Sequence, residues 1–86
     1  MADHLQLIVV TPQKQVLDAP ALWVDVPASS GELRALPEHA PTLGTLGDGT
    51  VRYQPQDGSA PRDLTVSGGF FEVLGDSVTL LADSAQ

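Results

Sequence analysis

Proline and glycine interrupt this chain so often that a helix of three turns has almost nowhere to form. Seven prolines and eight glycines are spread through 86 residues; proline deletes a helical hydrogen bond and glycine marks turns. The stretches between them favour Val, Leu, Thr and aromatic residues, which suit a pleated, half-buried surface. The spacing predicts strands over Leu5–Thr11, Gln13–Leu17, Leu22–Val26, Glu32–Leu36, Thr42–Leu46, Thr50–Gln54, Arg62–Val66, Phe70–Leu74 and Ser77–Leu81. Asp57-Gly58 suits a type I′ or related turn and Gly75-Asp76 a type II′ turn, so both joints read as antiparallel hairpins. Closely spaced strands joined by tight turns make a sandwich or small barrel.

Period-two alternation then sorts the side chains. In Leu22-Trp23-Val24-Asp25-Val26, Leu22, Val24 and Val26 share one face, and Trp23 with Asp25 takes the other, toward solvent or a partner. The core candidates are Leu7, Val9, Leu22, Val24, Val26, Leu33, Val51, Leu64, Val66, Phe71, Val73, Val78 and Leu80. Phe70 and Phe71 are adjacent, so one of the two must point away from the core. The outward one is a candidate anchor for a partner, because aromatic side chains often dominate interface energy.

Length and charge narrow the function. Residues 1–86 make one domain, and a chain of this size buries only about 60 to 65% of its unfolded surface. There is no cysteine, hence no disulfide and no thiolate metal site, and His4 with His39 cannot complete a structural zinc site. A net charge of −7 with four basic residues argues against nucleic acid and against direct insertion into anionic lipid. The opening MADHLQ lacks a basic segment and LIVV is too short for a signal core, so the default compartment is the cytoplasm.

Motifs for catalysis fail on chemistry. His39, beside Glu38 and between two prolines, has no nucleophile at a recognisable elbow, since VSGGF around Ser67 is not G-x-S-x-G. Ser67-Gly68-Gly69 and Gly47-Asp48-Gly49 do not open onto a helix, as a phosphate loop requires. They read as bends where backbone passes close to backbone. Asp48, Asp57 and Asp76 fall in turns, Asp18 and Asp83 at strand ends, and no calcium-loop spacing occurs.

Two clusters carry a resemblance. GELRALPEHAP (Gly31 to Pro41) is followed by LTVSGGFFEVLGDSVTLLADSA (Leu64 to Ala85). The order GEL, P-x-HAP, SGG-x-x-EV, LAD at these spacings resembles the N-terminal β-sandwich domain of the epsilon subunit of F-type ATP synthases, over nearly the whole chain. Two positions depart from it, Arg34 and Glu38, where that family commonly carries Gly.

The resemblance implies an all-β, flattened sandwich of about ten mostly antiparallel strands in two sheets. It also implies a non-catalytic central-stalk subunit at the cytoplasmic face of a bacterial membrane, docking the gamma subunit to the polar loops of the c-ring. The chain itself would hold no nucleotide and no cofactor, because ATP formation belongs to the whole complex. By position, Glu32, Glu38 and His39 become the candidate c-ring contacts, and Phe70 or Phe71 the candidate gamma contact. In typical members a helical hairpin follows LAD-[ST]-A; the sequence here stops at Gln86, with the expectation that it does not inhibit ATP hydrolysis by inserting a C-terminal helix. The competing reading is a free-standing sandwich module for peptide or carbohydrate, with few aromatics to spare for stacking. A biotin- or lipoyl-type carrier fails because Lys14 in TPQKQV is at no hairpin-tip motif.

Overall fold

A computed structural model describes residues 3–86. Seven strands run in the order β1 (Leu5–Val10), β2 (Gln15–Ala28), β3 (Gly31–Ala35), β4 (Thr42–Thr45), β5 (Gly49–Pro55), β6 (Arg62–Leu74) and β7 (Ser77–Ala85). The all-β sandwich expected from the resemblance is present. Its strands number seven because two pairs of predicted segments are continuous. Gln13–Leu17 and Leu22–Val26 merge into β2, while Arg62–Val66 and Phe70–Leu74 merge into β6.

These two long strands turn the corners. The first part of β2 pairs with β1 and the second with β3 and β5, and Ala21 is held from both sides, opposite Leu5 and Pro55. In β6 the same pivot is Val66, opposite Gly49 of β5 and Ala85 of β7. Both pivots are buried. One layer is therefore β2, β1, β7, β6 and β4, the other β3, β2, β5 and β6, and the ladder β1-β7-β6-β5-β2 closes back on β1. Only β1 and β7 run parallel; the other pairings are antiparallel.

Each corner has a local cause. At β2, Pro20 has no N–H to give, and its carbonyl accepts the Gln56 N–H at 3.1 Å. Immediately after it, Leu22 is the extra residue of a bulge, since Ala21 faces Pro55 and Trp23 faces Gln54. The bulge resets the alternation, which corrects the sequence reading at one position: Leu22 is 37% exposed rather than in the core. Asp25 keeps the outer face that alternation gives it, beside core Val24 and Val26, and is buried there under the Arg34 side chain that holds it. Leu33 and Leu64 are only half-buried against the core, and Leu5, Ala21, Ala35, Leu46, Tyr53 and Ala82 join it. At the β6 corner, Gly69 has φ of 110°, and a Cβ there would lie 2.0 Å from the Leu81 carbonyl oxygen. No side chain fits between these two strands.

The turns divide similarly. Gly75-Asp76 joins the Leu74–Ser77 pair with φ of 60° at Gly75, as a type II′ hairpin requires. Asp57-Gly58 is not a two-residue turn. It belongs to a longer loop, residues 56–61, in which the Asp57 carboxylate accepts from the Ser59 N–H at 2.9 Å and from its hydroxyl at 2.6 Å.

The outer face of the second layer is a row of alternating charge. Arg34, Asp25, Arg52 and Asp63 are cross-strand neighbours on β3, β2, β5 and β6. Arg34 holds Asp25 through Nε and Nη2 at 2.7 and 2.9 Å, and Arg52 holds Asp63 at 2.7 and 3.0 Å. Such forked pairs are geometrically specific. The Arg34 guanidinium also lies 4.0 Å from the centre of the Trp23 ring, which accounts for that ring being half-covered.

Replacing Gly69 with Ala should cost about 3 kcal/mol or more in urea unfolding, because the clash is with backbone at a φ reserved for glycine. Gly47→Ala, where a Cβ meets nothing nearer than 3.6 Å, should stay within about 1 kcal/mol. Hydrogen bonding from Arg52 holds the Asp63 carboxyl below its ordinary value. A carboxyl depressed in the folded state contributes stability above its unfolded pKa, about 4, and that contribution is lost as pH falls through the folded value. Asp63→Asn should therefore be less stable than the parent at pH 7, with the difference shrinking at pH 2 to 3 and at high salt.

Candidate interaction surface

The outer face of the β4-β6-β7-β1 layer carries apolar side chains in register. Phe70 stands between Thr45 of β4 and Leu81 of β7, and Leu81 faces Val10 of β1. One row below, Leu43, Glu72, Thr79 and Ile8 align in the same way. Phe70 is 59% exposed, and Leu43, Leu74 and Leu81 are each more than half exposed. Contiguous apolar surface of this kind marks an interaction site more often than it occurs idly. Phe71, the other member of the aromatic pair, is 4% exposed and belongs to the core. Strand alternation assigns them these opposite faces, so Phe70 alone is available to a partner.

A second feature lies where β3 leads to β4. The Leu36 carbonyl accepts the His39 N–H at 3.1 Å, closing a turn with Pro37 and Glu38 at its centre. Glu38 has φ of 65° and is the one non-glycine residue with positive φ among those described. Proline followed by a positive-φ residue is the pattern of a type II turn, whose second central position favours glycine. A left-handed Glu costs about 1 kcal/mol. The Glu38 N–H donates to Asp76 Oδ1 at 3.1 Å. His39 Nδ1 lies 2.7 Å from the Ala40 carbonyl; a carbonyl only accepts, so Nδ1 carries the proton and Nε2 is left free.

The residues singled out from sequence are not all brought together. Glu38 and His39 share this turn, but Glu32 lies on β3 beside Thr50, Arg52 and Asp63, in the charged face. From Glu32 to Leu36 the chain covers roughly 13 Å at strand rise. Arg34, one of the two positions that depart from the family pattern, is paired with Asp25 on the charged face.

Elsewhere the polar groups are structural. The Ser67 hydroxyl donates to Asp48 at 2.9 Å, pinning the β6 corner to the turn before β5. An open groove of about 440 Å³ runs past Pro20, Tyr53, Pro55 and Arg62. Among the described residues no three His, Asp or Glu side chains converge as metal ligands. What the arrangement offers is surface for binding: one apolar sheet face and one polar, rigid turn.

Sequence reasoning did not single out Leu81, Leu43 or Asp76. Leu81 was accessible to the argument used for the phenylalanines, since Leu80-Leu81 is also an adjacent pair in one strand. Asp76 reads from sequence only as a turn residue, and its bond to Glu38 had no signal, because the two are 38 positions apart.

The pattern of the ATP synthase delta/epsilon chain β-sandwich domain matches residues 4–86. The ATP synthase epsilon chain of Solibacter usitatus (strain Ellin6076) is 46% identical over 86 residues, spanning 100% of this chain and 63% of that protein. The epsilon chain of Symbiobacterium thermophilum is 45% identical over 87 residues, spanning 60% of its length. The chain thus spans about three fifths of these curated relatives. In fold it is similar to a chain of the Euglena gracilis mitochondrial ATP synthase OSCP/F1/c-ring structure, with a TM-score of 0.91 at 20% identity, covering 100% of this chain and 54% of that one. A chain of the Tetrahymena thermophila mitochondrial ATP synthase central stalk and c-ring gives a TM-score of 0.76 at 15% identity, covering 95% and 65%. With the order of its strands, its GEL, HAP, SGG and LAD segments and a domain match over nearly its full length, this chain belongs to the ATP synthase delta/epsilon chain β-sandwich family.

Proposed function

We propose that this chain is the sandwich part of an ATP synthase epsilon subunit, a non-catalytic rotor element that docks the gamma subunit to the c-ring at the cytoplasmic face of a bacterial membrane. The observation that carries this reading is the in-register apolar row centred on Phe70, on a domain whose family is that of the epsilon chains. Gamma docks on that face. Glu38 and His39, at the end of the sandwich, meet basic side chains on the polar loops of the c-ring. A close-packed core and a closed strand ladder suit such a part, since torque passes through a body that resists deformation. Ion translocation and ATP formation belong to the assembled complex.

Calorimetry against the gamma subunit of the same organism tests the docking face. Phe70→Asp should leave the fold intact and weaken binding at least ~30-fold, the loss of an aromatic hot spot. Thr50→Lys, on the charged layer, should bind like the parent; no binding by the folded parent would move the assignment to a free-standing module. The c-ring contact is tested by salt. Glu38→Gln should weaken assembly of the gamma-bound chain with purified c-ring several-fold at low ionic strength and little at 0.5 M salt. Glu32→Gln should leave it unchanged.

A further inference from the structure

We infer that Asp76 is the positioning residue for the Glu38–His39 turn, holding it in the shape that meets the c-ring; this rests on the reading of that turn as the c-ring contact. Asp76 joins three segments that are distant in sequence. Its backbone carbonyl accepts the Gln6 N–H at 2.8 Å, at the start of β1. Its own place is fixed by the two-residue turn between the paired Leu74 and Ser77. Its carboxylate accepts the Glu38 N–H at 3.1 Å.

That last bond is made to the residue most in need of it. Glu38 is the positive-φ residue of its turn, and a side chain there favours relaxation of the backbone to negative φ. Rotation out of the left-handed region would turn the Glu38 N–H away from Asp76, so the carboxylate opposes the relaxation. The consequences reach His39, whose ring is anchored to the Ala40 carbonyl, an oxygen that also accepts the Thr42 hydroxyl at 2.9 Å. Asp76 thus fixes the turn from outside, while Ala40 and Thr42 fix it from within. Asp76 need not touch the partner; it acts through the backbone of Glu38. The turn is presented preformed, which spares the entropy of ordering it on binding.

The role depends on an acceptor oxygen and not on charge, which separates it from a direct electrostatic contact. Asp76→Ala removes the acceptor, whereas Asp76→Asn keeps Oδ1 and removes the charge. Two readouts are needed: amide hydrogen exchange of Glu38 by NMR on the full chain, and assembly of the gamma-bound chain with purified c-ring. The Ala variant should exchange the Glu38 amide about tenfold faster, the scale of one lost hydrogen bond to a carboxylate. It should also assemble several-fold more weakly, and the Asn variant should restore both. An unchanged Glu38 amide in the Ala variant overturns the positioning role, whatever assembly does. An Asn variant as impaired in assembly as Ala also overturns it, in favour of a charge contact. If exchange behaves as expected but neither Asp76 variant nor Glu38→Gln alters assembly, the c-ring reading itself has failed and the inference falls with it.

Discussion

The close passage of β6 over β7 at Gly68-Gly69 is the constraint on which the rest of this structure depends. A Cβ on Gly69 would lie 2.0 Å from the Leu81 carbonyl oxygen, and one on Gly68 would lie 2.6 Å from Asp83 Oδ2. At Gly69 only backbone fits, at Gly68 a side chain would have to displace the Asp83 carboxylate, and both glycines are at positive φ. Because β6 can bend there, one strand satisfies hydrogen bonds with β5 before the bend and with β7 and β4 after it. The ladder can then close through β2 onto β1. Closure removes most of the free strand edge that a small sheet would expose, which matters for a chain that has no disulfide to restrain it.

Closing the ladder also separates two outer faces of opposite character. On the β3-β2-β5-β6 layer the charges of Arg34, Asp25, Arg52 and Asp63 answer one another across the strands. Opposite charges on neighbouring strands stabilise a pairing, and each guanidinium finds its carboxylate within the chain. These four paired charges have little left to offer a charged partner. On the β4-β6-β7-β1 layer Phe70, Leu81 and Leu43 point outward and are each more than half exposed, with Val10 half-buried at the end of the Phe70 row and Glu72 and Thr79 in the next. The asymmetry supports a body that presents one face to a partner and keeps the other in solvent.

Stiffness extends to the end of the sandwich. The turn at Glu38 would be an ordinary exposed loop if its backbone were free, yet it is bonded to the β6–β7 hairpin, which is bonded in turn to the first strand. A positive-φ Glu is an unfavourable choice for the second central position of such a turn. Its place beside an acceptor from another element is the kind of local conflict that sits at contact surfaces rather than in cores.

Much of this was legible in the residues. Proline and glycine spacing excluded helices, alternation found most of the core, and the GEL, HAP, SGG and LAD segments pointed to the family. Adjacency of Phe70 and Phe71 required one outward ring, because side chains in a strand alternate. Only the tertiary structure decided which ring, since parity along β6 is set by its pairing with β4 and β7. The bulge at Leu22 reversed the local parity of β2, and a bulge is defined by a partner strand far away in sequence. The separation of Glu32 from Glu38 and the bond from Glu38 to Asp76 were equally invisible. Local propensity and period depend on near neighbours, so the sequence by itself determined which segments are extended and placed the Gly75-Asp76 turn between two of them. Register, corners and the company each side chain keeps depend on contacts between distant segments, and those belonged to the fold.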